Sequence, residues 1–128
     1  MTKRILSILE TAYRATLEEQ DDTVVWLARA MTAAGAQLTV VLRGGAVSYA
    51  ARGQNASGLV LGDRRQAQPP RVDRELTSLA QSGVDVLAVE EDVALRGLEG
   101  DDLIEGVRLI PYRTLAQLCA AHDQVWHW

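Results

Sequence analysis

Apolar residues gather along the chain in short dense runs, separated by polar stretches and by segments of helical spacing. The most pronounced run, Val84 to Val89, stops abruptly at three consecutive carboxylates, Glu90, Glu91 and Asp92. A run with almost no polar alternation is what a strand covered on both faces looks like, as in parallel sheets packed by helices. A short helical piece follows the carboxylates and is ended by Gly97. Ile5 to Leu9 predicts a first buried strand, Gln37 to Leu42 a second, Val107 to Ile110 a fourth and Gln124 to Trp128 a closing strand.

Helices fall between these runs. Thr23 to Ala34 places Val24, Leu27, Ala28 and Met31 at i, i+3, i+4 and i+7, one core-facing stripe. Asp21 or Asp22 is positioned as its N-cap and Gly35 as its stop. Trp26, Ala30 and Ala33 form a second apolar stripe, which implies deep burial or a partner on the outer side. Arg43-Gly44-Gly45 reads as a tight exit into a short helix, Ala46 to Ala51, closed by Arg52-Gly53. Val72 to Ser82 is the next helix, with Val72, Leu76, Leu79 and Ala80 inward. Pro111-Tyr112 opens the last, Thr114 to Ala121. Gln54 to Arg71, rich in Gly, Gln, Ser and Pro, reads as an irregular loop that is functional or mobile.

Five short strands alternating with helices need crossover connections, so the sheet is parallel. The expected architecture is α/β, a three-layer α/β/α sandwich with strand order 2-1-3-4-5, in one domain over 1–128. The length of 128 residues fits that single core. A formal charge of −4 with arginines scattered singly or in pairs argues against a nucleic-acid surface. No window approaches the roughly 20 apolar residues that cross a bilayer. The start, Met1 to Leu6, is too short in apolar residues for a signal peptide, and the expectation is a cytoplasmic protein. On that reading the sequon Asn55-Ala56-Ser57 carries no meaning. One cysteine, Cys119, excludes an internal disulfide.

In open parallel sheets the loops leaving the carboxyl ends of the strands form the ligand crevice. Thr11, Tyr13 and Arg14 leave the first strand, Arg43 and Gly44 the second, Glu90, Glu91 and Asp92 the third and Tyr112 the fourth. Arg14 and Arg43 could grip an anion, since guanidinium forks suit carboxylates and phosphates. Solvated surface arginines are the commoner explanation. The three acids could hold a proton or a ligand, or merely cap the helix that follows. No glycine-rich phosphate loop follows strand one. His122 and His127 stand in no ligand-spaced motif, so neither a metal nor a cofactor is expected. Cys119 shares a helix face with Leu115, Leu118 and His122, a pattern that suits a buried structural thiol better than a reactive one. Trp126 and Trp128 should point to one side of the closing strand, with His127 opposite. They, with Trp26, are candidates for a subunit contact or for cover over the core edge.

Four segments carry a resemblance: Arg43-Gly44-Gly45-Ala46-Val47 through Ala50-Ala51-Arg52-Gly53-Gln54, the run from Gly83 to Leu98, Ile110-Pro111-Tyr112, and Gln124-Val125-Trp126-His127-Trp128. Together they are similar to the DsrE/DsrF/DsrH family of small sulfur-relay proteins, which includes the TusB, TusC and TusD subunits. Glu90-Glu91-Asp92-Val93-Ala94-Leu95-Arg96-Gly97-Leu98 most resembles the DsrH/TusB branch. The resemblance implies a homo-oligomer or a hetero-oligomer with related subunits. It also implies that sulfur-carrying members keep a cysteine at the position occupied here by Val89. A thiolate accepts and hands on sulfane sulfur, and valine cannot. The expectation is a non-catalytic assembly or binding subunit. The alternative is a small-molecule binder or enzyme using Arg14, Arg43, Glu91 and Tyr112, and a third is sulfur transfer through Cys119.

Overall fold

A computed structural model describes residues 2–13, 22–54 and 58–128. In chain order the elements are β1 (Arg4–Leu9), α1 (Thr23–Ala33), β2 (Gln37–Leu42), a long 3-10 turn (Gly44–Ala50), β3 (Val60–Leu61), β4 (Arg64–Arg65), α2 (Val72–Gln81), β5 (Asp85–Val89), α3 (Glu90–Leu95), β6 (Val107–Ile110), α4 (Leu115–Ala121) and β7 (Gln124–His127). Five strands form one sheet in the order β6-β5-β2-β1-β7, and every pairing in it is parallel. The expected α/β sandwich with a five-stranded parallel sheet is therefore present, and the Val84–Val89 run forms an interior strand.

The expected order of the strands is corrected. The third main strand, β5, pairs with β2 rather than β1, and the closing strand β7 takes the free side of β1. In main-strand numbers the order is 4-3-2-1-5. Crossovers between parallel strands are right-handed. The steps β1→β2→β5→β6 all run in one direction across the sheet, so their connections fall on one face. Only the return from β6 to β7 crosses the other way, and it delivers α4 to the opposite face. Hydrogen bonds lock β7 in place: Asp123 N–H donates to the Arg4 carbonyl at 2.8 Å, Arg4 N–H to Asp123 Oδ2 at 2.7 Å, and Trp128 N–H to the Ile8 carbonyl at 2.9 Å.

Two apolar cores result. The larger lies between the sheet and α1, α2, α3 and the 3-10 turn, with Leu9, Leu42, Ala88, Leu76 and Tyr49 at its centre. The smaller joins Leu6, Ile8, Val41, Leu87, Val89 and Ile110 to Leu115, with Leu118 and Cys119 at its margin, and α4 covers it.

Local chemistry explains most boundaries. Asp22 is the N-cap of α1, its Oδ1 accepting Val24 N–H at 3.0 Å and Val25 N–H at 3.1 Å; Asp21 lies outside the described residues. The second stripe of α1 is not buried: Trp26 is 53% exposed, and Val25 is inside instead. The short helix expected over Ala46–Ala51 is a 3-10 turn that starts two residues earlier and buries Ala46, Val47, Tyr49 and Ala50. The loop expected over Gln54–Arg71 contains a hairpin, β3 paired antiparallel with β4 across Gly62-Asp63. A two-residue connection with Gly first and φ +64° there is the turn chemistry such hairpins need.

Candidate functional site

The carboxyl ends of the strands carry a chain of interactions that runs across the sheet. His127 Nε2 on β7 lies 2.7 Å from Glu10 Oε2, just beyond β1. The other oxygen of Glu10 is 3.8 Å from Arg43 Nε, just beyond β2. The Arg43 guanidinium sits 5.2 Å above the centre of the Tyr112 ring, just beyond β6, a cation–π distance. Tyr112 N–H in turn donates to both oxygens of Glu91, at 2.9 and 3.0 Å. The structure thus brings together Arg43, Glu91 and Tyr112 from the expected set, and adds Glu10 and His127.

Asp92 reaches the other way and accepts Gly44 N–H at 2.8 Å. Gly44 is at φ +54°, and a Cβ there would come within 3.2 Å of Glu10 Cγ. The positive φ favours glycine here, and a Cβ would in addition press on the Glu10 side chain. Glu91 and Asp92 therefore brace the exits of β6 and β2 against α3; they do not cap their own helix, whose N-cap is Val89 with no side-chain bond. Glu90 is exposed.

Tyr13 and Thr11 belong to a neighbouring patch. Thr11 N–H donates to the Trp128 carbonyl at 3.3 Å, and its side chain faces solvent. Tyr13, at φ +56°, donates its N–H to the Tyr49 hydroxyl and its own hydroxyl to Gln54 Oε1 at 3.3 Å. The Tyr49 hydroxyl donates to Asp22 Oδ2 at 2.5 Å, and Asp22 N–H donates to Glu75 Oε2 at 3.2 Å. Tyr49 and Asp22 are wholly buried and Glu75 nearly so. This network ties Tyr13, shortly after β1, to the starts of α1 and α2. Arg14 lies outside the described residues.

Val89, where the resemblance expects a cysteine, has no exposed surface and belongs to the smaller core under α4. It therefore packs on the α4 side of the sheet. Cys119 is half-buried on α4 at the margin of the same core. His122 does not assist it: Nδ1 is 2.6 Å from the Leu118 carbonyl and Nε2 is 3.0 Å from Thr39 Oγ1. Among the described residues no group of three His, Cys, Asp or Glu side chains is arranged to hold a metal ion. The arrangement suits binding. Glu91 and Asp92 are engaged by backbone amides, and Glu10 lies between His127 and Arg43.

The three tryptophans separate. Trp126 and Trp128 meet edge to face at 6.4 Å, and the Trp128 indole N–H donates to Ser7 Oγ at 3.2 Å. With Val24, Leu27, Met31 and Leu38 they close the gap between β1 and α1. Trp26 instead lines an open hollow of about 680 Å³ between α1 and α2, beside Arg29, Ala30, Ala33, Ser78 and Ser82.

Compared with known proteins, residues 67–125 match the family described as DsrH like protein, a stretch just under half of the chain. No curated protein matches. Among solved structures the chain is similar to the ychN protein from E. coli, at 22% identity and TM-score 0.76 with both chains fully covered. A protein of unknown function from Bacteroides thetaiotaomicron matches at 17% identity and TM-score 0.66, over 97% of this chain and 94% of that one. Another, from Methanobacterium thermoautotrophicum, matches at 15% identity and TM-score 0.62, over 98% and 99%. The resemblance drawn from the sequence is borne out: a DsrH-like segment sits on a fold shared along the whole chain. Among the described residues no helix is long and apolar enough to cross a membrane.

Proposed function

We propose that this DsrH-like chain is a non-catalytic subunit related to sulfur relay, which works by holding partners rather than by carrying sulfur. The observation that carries the reading is the separation of thiol and crevice. The chain's single cysteine lies on α4 at the margin of the smaller core. At the end of β5 stands a buried valine, flanked by acids that serve as braces. Sulfane-sulfur transfer needs an accessible thiolate within reach of donor and acceptor, and the crevice offers none. The DsrH-like match and the fold support the coarser statement that the protein is related to sulfur relay; partner binding is what remains for such a subunit to do.

The test is loading with labelled sulfane sulfur from a small persulfide donor, followed by native mass spectrometry with DsrE- and DsrF-type relay proteins. The expected outcome is no protein-bound label above that of Cys119→Ser, together with stable association. Stoichiometric label that disappears in Cys119→Ser would overturn the reading.

A second reading rests on one atom. Arg43 Nε is shut off from solvent and has no hydrogen-bond acceptor, although Glu10 stands 3.8 Å away. A buried guanidinium N–H left without an acceptor favours a small carboxylate or oxyanion in the crevice. Such a ligand would raise the melting temperature of the wild type, and Arg43→Ala would abolish the effect.

A further inference from the structure

The hairpin formed by β3 and β4 presents Leu59, Val60 and Leu61 to water at 56%, 60% and 60% exposure. Neither core includes them. Three consecutive large apolar residues on a surface are unusual in a soluble domain, and a lone two-stranded ribbon is marginal in water. Yet this one is built with care. Gly62 supplies the turn, and Gly58 lets the strands close, since a Cβ there would lie 2.3 Å from the Gln66 carbonyl oxygen. Gln66 N–H donates to the Leu59 carbonyl at 2.8 Å. Arg64 and Arg65 stand across from Leu61 and Val60. The segment 58–71 carries three arginines and one aspartate, in a chain whose formal charge is −4.

The chain also carries the complement of this arm. Strand β6 is an edge of the sheet. Leu109 on it is 37% exposed, and Leu95, at the end of α3 just before it, 80%. The connection between them bears Glu99, Asp101, Asp102 and Glu105, all exposed, against Arg96 and Arg108. Apolar residues with basic flanks therefore match an apolar edge with acidic flanks. We infer that the β3–β4 hairpin is an assembly arm that docks on the β6 edge of a second copy of this chain.

The symmetry follows from where the arm is rooted. Ala51, shortly before the hairpin, forms a bridge with Leu103, and Arg52 N–H donates to the Asp102 carbonyl at 2.7 Å. Arm root and acceptor connection thus lie side by side, so a two-fold axis between two copies makes both contacts at once, each arm on the other's edge. Among the described residues neither Arg64 nor Arg65 is ion-paired within its own chain, which leaves both for the partner. This inference is independent of the non-catalytic reading, because a sulfur-accepting chain could carry the same arm.

Particle mass by light scattering after gel filtration, checked by native mass spectrometry, tests it. The wild type should run at an even multiple of the 14.0 kDa chain. Arg64→Glu with Arg65→Glu should halve that mass, and adding Asp101→Lys with Glu105→Lys in the same chain should restore it. Leu59→Ser with Leu61→Ser should also halve it. Circular dichroism melting should show every variant folded. A monomeric wild type, an unchanged mass in both arm variants, or a halved mass that the charge swap does not restore would overturn the proposal.

Discussion

Asp22 shows how much one buried carboxylate can organise. One oxygen caps two amides of α1 while the other accepts the Tyr49 hydroxyl, and its own N–H is held by Glu75. A buried polar group is tolerated when it is fully bonded and is costly otherwise. Tyr49→Phe should therefore destabilise by about 1–3 kcal/mol, the usual cost of leaving a buried acceptor unsatisfied; the shift in urea midpoint measures it. Glu91→Gln keeps a carbonyl oxygen for Tyr112 N–H but loses the charge, so a smaller cost of about 1 kcal/mol is expected from the same titration. The sequence marks Asp22 as a cap, because a short acid before an apolar stripe has that meaning. Nothing in the local pattern marks Tyr49 or Glu75 as its partners, because they are distant in sequence. The same limit applies to Glu10 and His127: each is an ordinary polar residue beside a strand, and only the placement of β7 next to β1 brings them within 2.7 Å.

Elements obey the apolar pattern more closely than their order does. The main strands and helices are where periodicity puts them, since each apolar run needs a covered position. Their order is not encoded there: β5 is equally satisfied beside β1 or β2, both being apolar on both faces. The hairpin had a local signal, Gly62-Asp63 after Leu59-Val60-Leu61, which the abundance of polar and proline residues around it obscures. Packing between elements sets the tightest constraints. Gly106 lies at φ +90°, where a Cβ would stand 2.8 Å from Ala80 Cβ on α2, whereas Gly35, at φ +98°, has open space around it. Gly35→Ala should cost only the left-handed backbone penalty, about 1–2 kcal/mol. Gly106→Ala should cost distinctly more, because α2 and the turn before β6 must also move apart. Equal urea midpoints for the two variants would contradict this packing.

The two faces of the sheet are unequal, and that asymmetry bears on function. One is covered by three helices and the long 3-10 turn; the other depends on α4, seven residues long, in which only Leu115 is buried. Leu115→Ala should remove about 2–4 kcal/mol. Val89 lies under this helix, in register with Ile110 on β6. The resemblance puts the sulfur carrier's thiol at this position, so the decisive variant is Val89→Cys in a Cys119→Ser background. Cysteine is close to valine in volume and behaves in a core as a small apolar group, so the fold should persist. Buried in apolar surroundings, its thiol is held neutral and out of reach. A disulfide reagent should therefore modify it only when α4 opens, at a rate lower by a factor of about 10³ or more than in the unfolded chain. Sulfane sulfur should not load onto it in the native state. Rapid modification would mean that this strand end faces the crevice after all. The chain would then lack sulfur transfer only for want of one residue, whereas slow modification means that the whole arrangement of sheet and α4 excludes it.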